Sequence, residues 1–236
     1  MALIMADNKL IYKEPVSIII TTKNRFDSFS KYLEKIISTT GSNPILIACD
    51  DDKTSFEKLK EKFGHFEFVK IYNSPYQMEN VSLRNWLYKK VETEKFVYMD
   101  DDMEPGNNEW LIIALDYFNK LFPDNIGLVS FCDGIQNGKL APAGLTTKTF
   151  INRACNGYLY NPQYVHYFCD TEITVRAQII NRYAYCADAI LLHRHATVTG
   201  NYDFIYNQSK VFWKQDEMVF NDFMEKVMVL KKKLGG

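Results

Sequence analysis

Short apolar runs recur along the chain, each followed by a polar turn and then by a stretch of helical periodicity. Val16, Ile18, Ile19 and Ile20 form a near-continuous run, the pattern of a strand buried on both faces. Phe26, Phe29, Leu33 and Ile36 then recur at helical spacing, and Gly41 marks the end of that helix. Ile45 to Ala48 repeat the strand pattern. Phe56, Leu59 and Phe63 repeat the helical one up to Gly64, with Thr54 and Glu57 spaced as a capping box at its start. A strand over Phe66 to Tyr72, a helix with Leu83, Trp86 and Leu87 on one side, and a strand over Phe96 to Met99 follow. A helix from about Asn108 to Phe122 and a strand over Ile126 to Asp133 continue the alternation. Strand and helix in turn predict an α/β fold, a central, mostly parallel mixed sheet flanked by helices.

Beyond this point the periodicity weakens. Gly134 to Phe150 is rich in Gly, Pro, Thr and Lys and reads as a long surface loop or hairpin. From Asn152, strand-like aromatics lead towards a helix that starts near Asp170. Ala189 to Leu192 read as a further strand, and residues from about Tyr202 to Leu234 as helices packed back on the domain. The expected organisation is one domain over residues 1–200 with a helical extension over 201–236.

The polar residues just after these strands carry the candidate chemistry. Phe96 to Met99 deliver three consecutive carboxylates, Asp100, Asp101 and Asp102, into a turn marked by Pro105 and Gly106. Adjacent like charges at the end of a buried strand need compensation, and a divalent cation is the obvious source. On an extended chain Asp100 and Asp102 point to the same side; a solvated acidic turn is the bland alternative. Asp50, Asp51 and Asp52 end the second strand in the same way; one of them can assist the next helix through its dipole, but three exceed what a cap needs. Thr21, Thr22 and Arg25 follow the first strand. Arg84 and Asn85 sit early in a helix, where an arginine meets a phosphate or carboxylate or simply faces solvent. His193 and His195, two apart at a strand end, face the same way and suit a shared metal or phosphate. Asp170 reads as an N-cap, with Glu172 in the first turn and Arg176 beyond it, and a carboxylate there is well placed to act as a general base. His65 and His166 have no such context.

Composition changes the picture little. With 28 Lys and Arg against 29 Asp and Glu, the net charge of -1 gives no electrostatic pull toward nucleic acid or anionic membrane. Five cysteines without a C-x-x-C pair suggest free thiols in a reducing, cytoplasmic setting. No apolar run approaches the about 20 residues of a membrane span.

Taken in order, "VSIIITTKNR", "ILIACDDD", "SLRN", "FVYMDDDMEP", "DTEITVR" and "LLHRH" resemble the nucleotide-diphospho-sugar transferases of the GT-A fold, specifically the inverting family two, from Val16 to His195. The resemblance implies a single-domain, Rossmann-like GT-A fold and a glycosyltransferase that uses a nucleotide-sugar donor, a UDP-sugar above all, with Mn²⁺ or Mg²⁺. It implies that Thr21, Thr22 and Arg25 border the nucleotide, that Asp50 or Asp51 contacts the base, and that Arg84 and Asn85 approach the nucleotide and the aspartate motif. Asp101 and Arg176 are expected among the residues that bind the nucleotide sugar, Asp101 as the least needed of the three aspartates. Asp100 and Asp102 correspond to the Asp-x-Asp motif, with Asp102 toward the metal and Asp100 toward ribose or metal. His193 corresponds to a histidine that completes the metal site in some members, with His195 as its competitor. Asp170 falls at the position of the catalytic base; Cys169 replaces the family's preceding glutamate, which leaves Glu172 as a rival. A nucleotidyltransferase and a non-catalytic sugar-nucleotide or glycan-binding module are the alternatives. The acceptor is left open between a glycan, a lipid-linked sugar and a modified nucleic-acid base.

Overall fold

The computed structural model describes residues 3–6, 9–12, 14–200 and 204–233. A two-stranded antiparallel ribbon, β1 (Leu3–Ala6) with β2 (Lys9–Tyr12), precedes the main body. The main sheet has eight strands: β3 (Val16–Thr22), β4 (Ile45–Cys49), β5 (Val69–Asn73), β6 (Lys95–Asp100), β7 (Met103–Pro105), β8 (Leu128–Cys132), β9 (Gly144–Thr147) and β10 (Tyr183–His193). Their spatial order is β5-β4-β3-β6-β9-β8-β10-β7. The pairs among β5, β4, β3 and β6 are parallel, as is β8 with β10, whereas β9 runs antiparallel to both its neighbours and β7 runs antiparallel to β10. The expected mixed α/β sheet is therefore present.

Helices cover both faces, as the continuous apolar runs require. On one side Ile18 and Ile20 of β3, Ile45 and Ile47 of β4 and Val97 and Met99 of β6 pack under α1 (Phe26–Thr40), α2 (Lys53–Phe63) and α4 (Trp110–Leu121). On the other, Ile19, Leu46, Ala48, Phe96 and Tyr98 pack under α3 (Glu79–Tyr88), α5 (Lys148–Ala154) and α6 (Cys169–Ile179). Successive strand residues alternate between the two cores, and this alternation later decides where each aspartate points. Of the helical extension expected over 201–236, residues 201–203 and 234–236 lie outside the described residues. The rest comprises α8 (Phe204–Ser209), a 3₁₀ turn (Lys210–Phe212) and α9 (Trp213–Lys233), with α7 (Ala196–Thr199) ahead of them. No helix among the described residues is long and apolar enough to cross a membrane, and the five cysteines are free.

Four expectations need correction. Part of the segment read as a surface loop, Gly134 to Phe150, is β9, a fully buried strand in the middle of the sheet. Its first residue has to be glycine: a Cβ on Gly144 would lie 2.6 Å from Leu128 Cδ1 and 2.7 Å from the Tyr98 hydroxyl. The aromatics after Asn152 form no strand; α5 ends at Ala154, and residues 155–168, which carry them, form a loop. Asp52, not Thr54, caps α2, its carboxylate accepting from the Ser55 N–H at 3.0 Å, because the helix already starts at Lys53. Finally, α6 starts at Cys169, one residue before the expected cap, after Phe168 in a left-handed conformation with φ 61°.

Candidate active site

The carboxyl ends of β3, β4, β6 and β10 converge with the start of α6 on a cavity of about 370 Å³. Thr21, Thr22, Arg25, Asp50, Arg84, Asp100, Asp101, Asp102, Asp170, His193 and His195 all line it. The crevice beyond strand carboxyl ends is where open α/β sheets bind ligands.

Strand alternation sorts the aspartates. Asp100 follows Phe96 and Tyr98 on the α3 side and meets Arg84, whose Nη2 donates to Asp100 Oδ1 and to Thr21 Oγ1 at 3.1 Å. Arg84 is almost wholly buried, in the interior and not on the surface. Burial works against both charges, but each holds the other ionised: Arg84 keeps the Asp100 carboxyl below its ordinary range, and Asp100 raises Arg84. Asp101 falls on the opposite side, where it accepts from Thr22 Oγ1 at 2.7 Å and from Arg25 Nη1 at 2.8 Å. Burial pushes its carboxyl up; Arg25 pulls it down and Asp102 adds to the rise.

Asp102 is brought to His193 by the β7·β10 pairing, in which Met103 lies opposite His193. His193 Nε2 is 3.1 Å from Asp102 Oδ1. That oxygen is buried and has no partner that meets hydrogen-bond geometry. One ligand atom each from Asp100, Asp102 and His193 fall within 4.8 Å of one another. Two carboxylates and an imidazole, with a buried oxygen left over, fit a divalent cation such as Mn²⁺ or Mg²⁺. Burial lowers the His193 imidazole, but Asp102, Asp100 and Asp133 outweigh it and lift the pKa to about 9. Binding a cation there therefore displaces a proton at neutral pH. His195 stacks edge-on against His193 with ring centroids 5.1 Å apart and stays outside the three-residue cluster.

Asp170 projects from the first turn of α6. One oxygen accepts from the Thr171 N–H at 2.8 Å. Burial raises its carboxyl pKa above the ordinary value; the Thr171 bond works the other way and Asp100 adds to the rise. The loop before it is pinned from α9, where the fully buried Asp216 accepts the backbone N–H groups of Val165, His166 and Tyr167 at 2.9, 2.8 and 2.7 Å. Phe168 stacks on Phe220, ring centroids 5.4 Å apart, and packs against Trp213 at 4.8 Å. Its left-handed backbone is held by these contacts.

Four sequence candidates lie outside the cavity lining. Asp51 is exposed on a left-handed turn, φ 50°. Asn85 clamps the loop main chain, donating to Tyr160 O at 2.8 Å and accepting from Tyr160 N at 3.0 Å. Glu172 is buried on the far side of α6, bonded to Tyr164 Oη at 2.7 Å and Arg176 Nε at 2.7 Å, and Arg176 also donates to Ala154 O. Asp50 does face the cavity, accepting from Met78 N at 2.6 Å and Lys23 Nζ at 3.2 Å. Lys23, Tyr32, Glu79, His166 and Arg194 also line the cavity, although the sequence did not single them out for the site. Arg194 is fixed there by the buried Glu104, which Lys35 also contacts.

No protein-family model matches this sequence, and no curated protein matches it. Solved structures match through their fold. A mannosyltransferase, PcManGT from Pyrobaculum calidifontis, in complex with GDP-Man and Mn²⁺, superposes with a TM-score of 0.63 at 11% identity over 77% of this chain and 57% of that one. This is the fold of nucleotide-sugar glycosyltransferases. S. aureus TarS 1-349 in complex with UDP-GlcNAc matches with a TM-score of 0.62 at 14% identity, over 77% of this chain and 59% of that one. TarS 1-349 without that ligand gives 0.63 at 12% identity over 76% and 60%. This chain thus spans less than two thirds of the length of the glycosyltransferases it superposes on.

Proposed function

We propose that this chain transfers a sugar from a nucleoside-diphosphate donor, a uridine one on our reading, to an acceptor hydroxyl with inversion, and that Asp170 is the general base. One observation carries the reading: Asp170 and the Asp100, Asp102 and His193 cluster line the same cavity. In-line displacement of a diphosphate needs a base and a charge-stabilising site that face one space. The GDP-Man and UDP-GlcNAc bound by the superposed glycosyltransferases agree with such a donor.

In the step proposed, the acceptor O–H gives its proton to the Asp170 carboxylate as its oxygen bonds to the anomeric carbon. On the opposite face, the bond from that carbon to the diphosphate oxygen breaks, and nucleoside diphosphate leaves. Asp100, Asp102 and His193 would hold Mn²⁺ or Mg²⁺, which when bound neutralises charge on the leaving diphosphate. Arg84 keeps Asp100 ionised for that task, and Asp101 anchors Arg25 and Thr22 at the rim. Residues 1–200 carry this chemistry, with the extension after them bracing the loop in front of Asp170.

Asp170 works as a base only when ionised, and its raised pKa moves the acid limb of the rate profile upward. Turnover is expected to fall as pH drops through a value above the ordinary carboxylate range. Calorimetry with UDP and Mn²⁺ alongside a transfer assay tests the roles. Asp170→Asn should lower kcat by about 10² to 10⁴ and leave UDP–Mn²⁺ binding intact. Asp102→Ala should remove the Mn²⁺ dependence of binding itself. Equal loss of binding in both variants sinks the division of roles, and binding without any turnover in the unmodified protein reduces it to a sugar-nucleotide-binding module.

A further inference from the structure

Behind α6 lies a second cavity, of about 350 Å³, enclosed by the loop over 155–163, α6 and α9. Tyr160 and Cys169 line both cavities, so only a thin wall separates it from the space in front of Asp170. Its charges are balanced internally: Arg176 is paired with Glu172, and Lys226 with Asp222. Each cation in its lining is therefore already committed, which disfavours a phosphate or other anion. Asn161 is engaged as well, donating to Glu172 and accepting from the Gln163 N–H, and the Arg176 guanidinium lies over the Phe223 ring. What remains is the exposed amide of Gln163 and the aromatic surface of Tyr158, which is 43% exposed. An amide that exchanges hydrogen bonds with hydroxyls, beside an exposed ring that covers C–H surface, suits an uncharged polyhydroxylated ligand.

We propose that this cavity binds a neutral saccharide unit of the acceptor, remote from the reacting hydroxyl, with Tyr158 as its stacking platform and Gln163 as a hydrogen-bonding partner. As an acceptor subsite it rests on the transferase reading above. Binding energy from a non-reacting part of the acceptor would hold the reacting hydroxyl against Asp170. The chemical class that follows is a neutral oligosaccharide long enough to reach both cavities around the wall that the buried Tyr160 and Cys169 form.

The test uses the full chain, fluorescently labelled, on an array of neutral hexose and N-acetylhexosamine oligosaccharides without donor or metal. UDP–Mn²⁺ binding is measured separately by calorimetry. Retention of at least one oligosaccharide class is expected, weakened about tenfold or more by Tyr158→Ala and reduced also by Gln163→Ala. Both side chains are exposed, so the variants should fold, and both should bind UDP–Mn²⁺ as the parent does. Failure of every neutral glycan to bind, or binding that neither substitution weakens, overturns the proposal even where UDP–Mn²⁺ binds normally. Retention only of phosphorylated or sialylated glycans overturns it as well. Glycan binding that depends on Tyr158 in a protein that does not bind UDP–Mn²⁺ overturns the transferase reading and keeps the saccharide site.

Discussion

The cavity at the strand ends has two walls, and different bonds hold them. Thr21, Asp50, Asp100 and His193 hang from or just beyond strands whose main-chain bonds to their neighbours fix where each side chain starts. Tyr160, His166, Phe168 and Asp170 stand opposite on a segment that belongs to no sheet, and the side chains of Asn85 and Asp216 hold its main chain in place. Along the sheet, position is shared over many bonds, so one substitution shifts it little. Across the cavity, position rests on a few separate contacts, those of Asn85 and Asp216 foremost among them, so losing either loosens the loop where it is held. The proposed base thus sits on the wall that is easier to disturb.

Asp216→Ala should break this contrast most strongly. Three buried N–H groups lose a charged acceptor together, at an expected cost of about 3 kcal/mol or more. For a chain of this size that corresponds to a fall in melting temperature of about 6 to 12 °C. In hydrogen exchange, the amides of Val165, His166 and Tyr167 should lose protection while those of β3 and β6 keep it. Uniform loss throughout the sheet would show that the two walls are not held separately. Asn85→Ala comes next, at about 2 kcal/mol for its two buried bonds to Tyr160; a urea titration reads this directly, and an unchanged midpoint would remove Asn85 from the account.

The smallest effect is expected on the sheet side. Burial alone would raise the Asp52 carboxyl pKa, but bonds from Ser55 and Asn24, with Lys23 nearby, outweigh it and hold the group below the ordinary carboxylate range. Its contribution is therefore full above the unfolded-state pKa and lost as pH falls through the lowered native one. Asp52→Ala should cost about 1 kcal/mol at neutral pH, and parent and variant should converge in strong acid. A gap that persists at low pH would mean that Asp52 acts through packing.

The same division explains what could be read from residue order. The apolar runs at Val16 to Ile20, Ile45 to Ala48 and Phe96 to Met99 announce strands covered on both faces, so the polar residues at their ends had to meet along one edge of the sheet. Arg84 was ambiguous because a helical arginine usually faces solvent; its burial follows from Asp100 and Thr21, each distant in sequence. β9 was hidden because four residues are too few for a period and its leading glycine imitates a turn. The 155–168 loop resembled a strand in composition, but its aromatics are fixed individually, Tyr160 by Asn85 and Tyr164 by Glu172. His166 enters the cavity only through that docking. One local signal did exist: Trp213, Asp216, Phe220 and Phe223 recur at helical spacing, and a lone carboxylate within such a stripe marks a buried acceptor.

β7 is three residues long and, within the sheet, pairs with β10 alone. Through that pairing it joins points of the chain about ninety residues apart, a loop whose closure entropy the fold has to overcome. Asp102 and His193 sit at the junction, one on each side. A ligand that bridges them would act as a reversible cross-link that closes the loop of about ninety residues between them. Its affinity and the global stability of the chain then become two readings of one quantity.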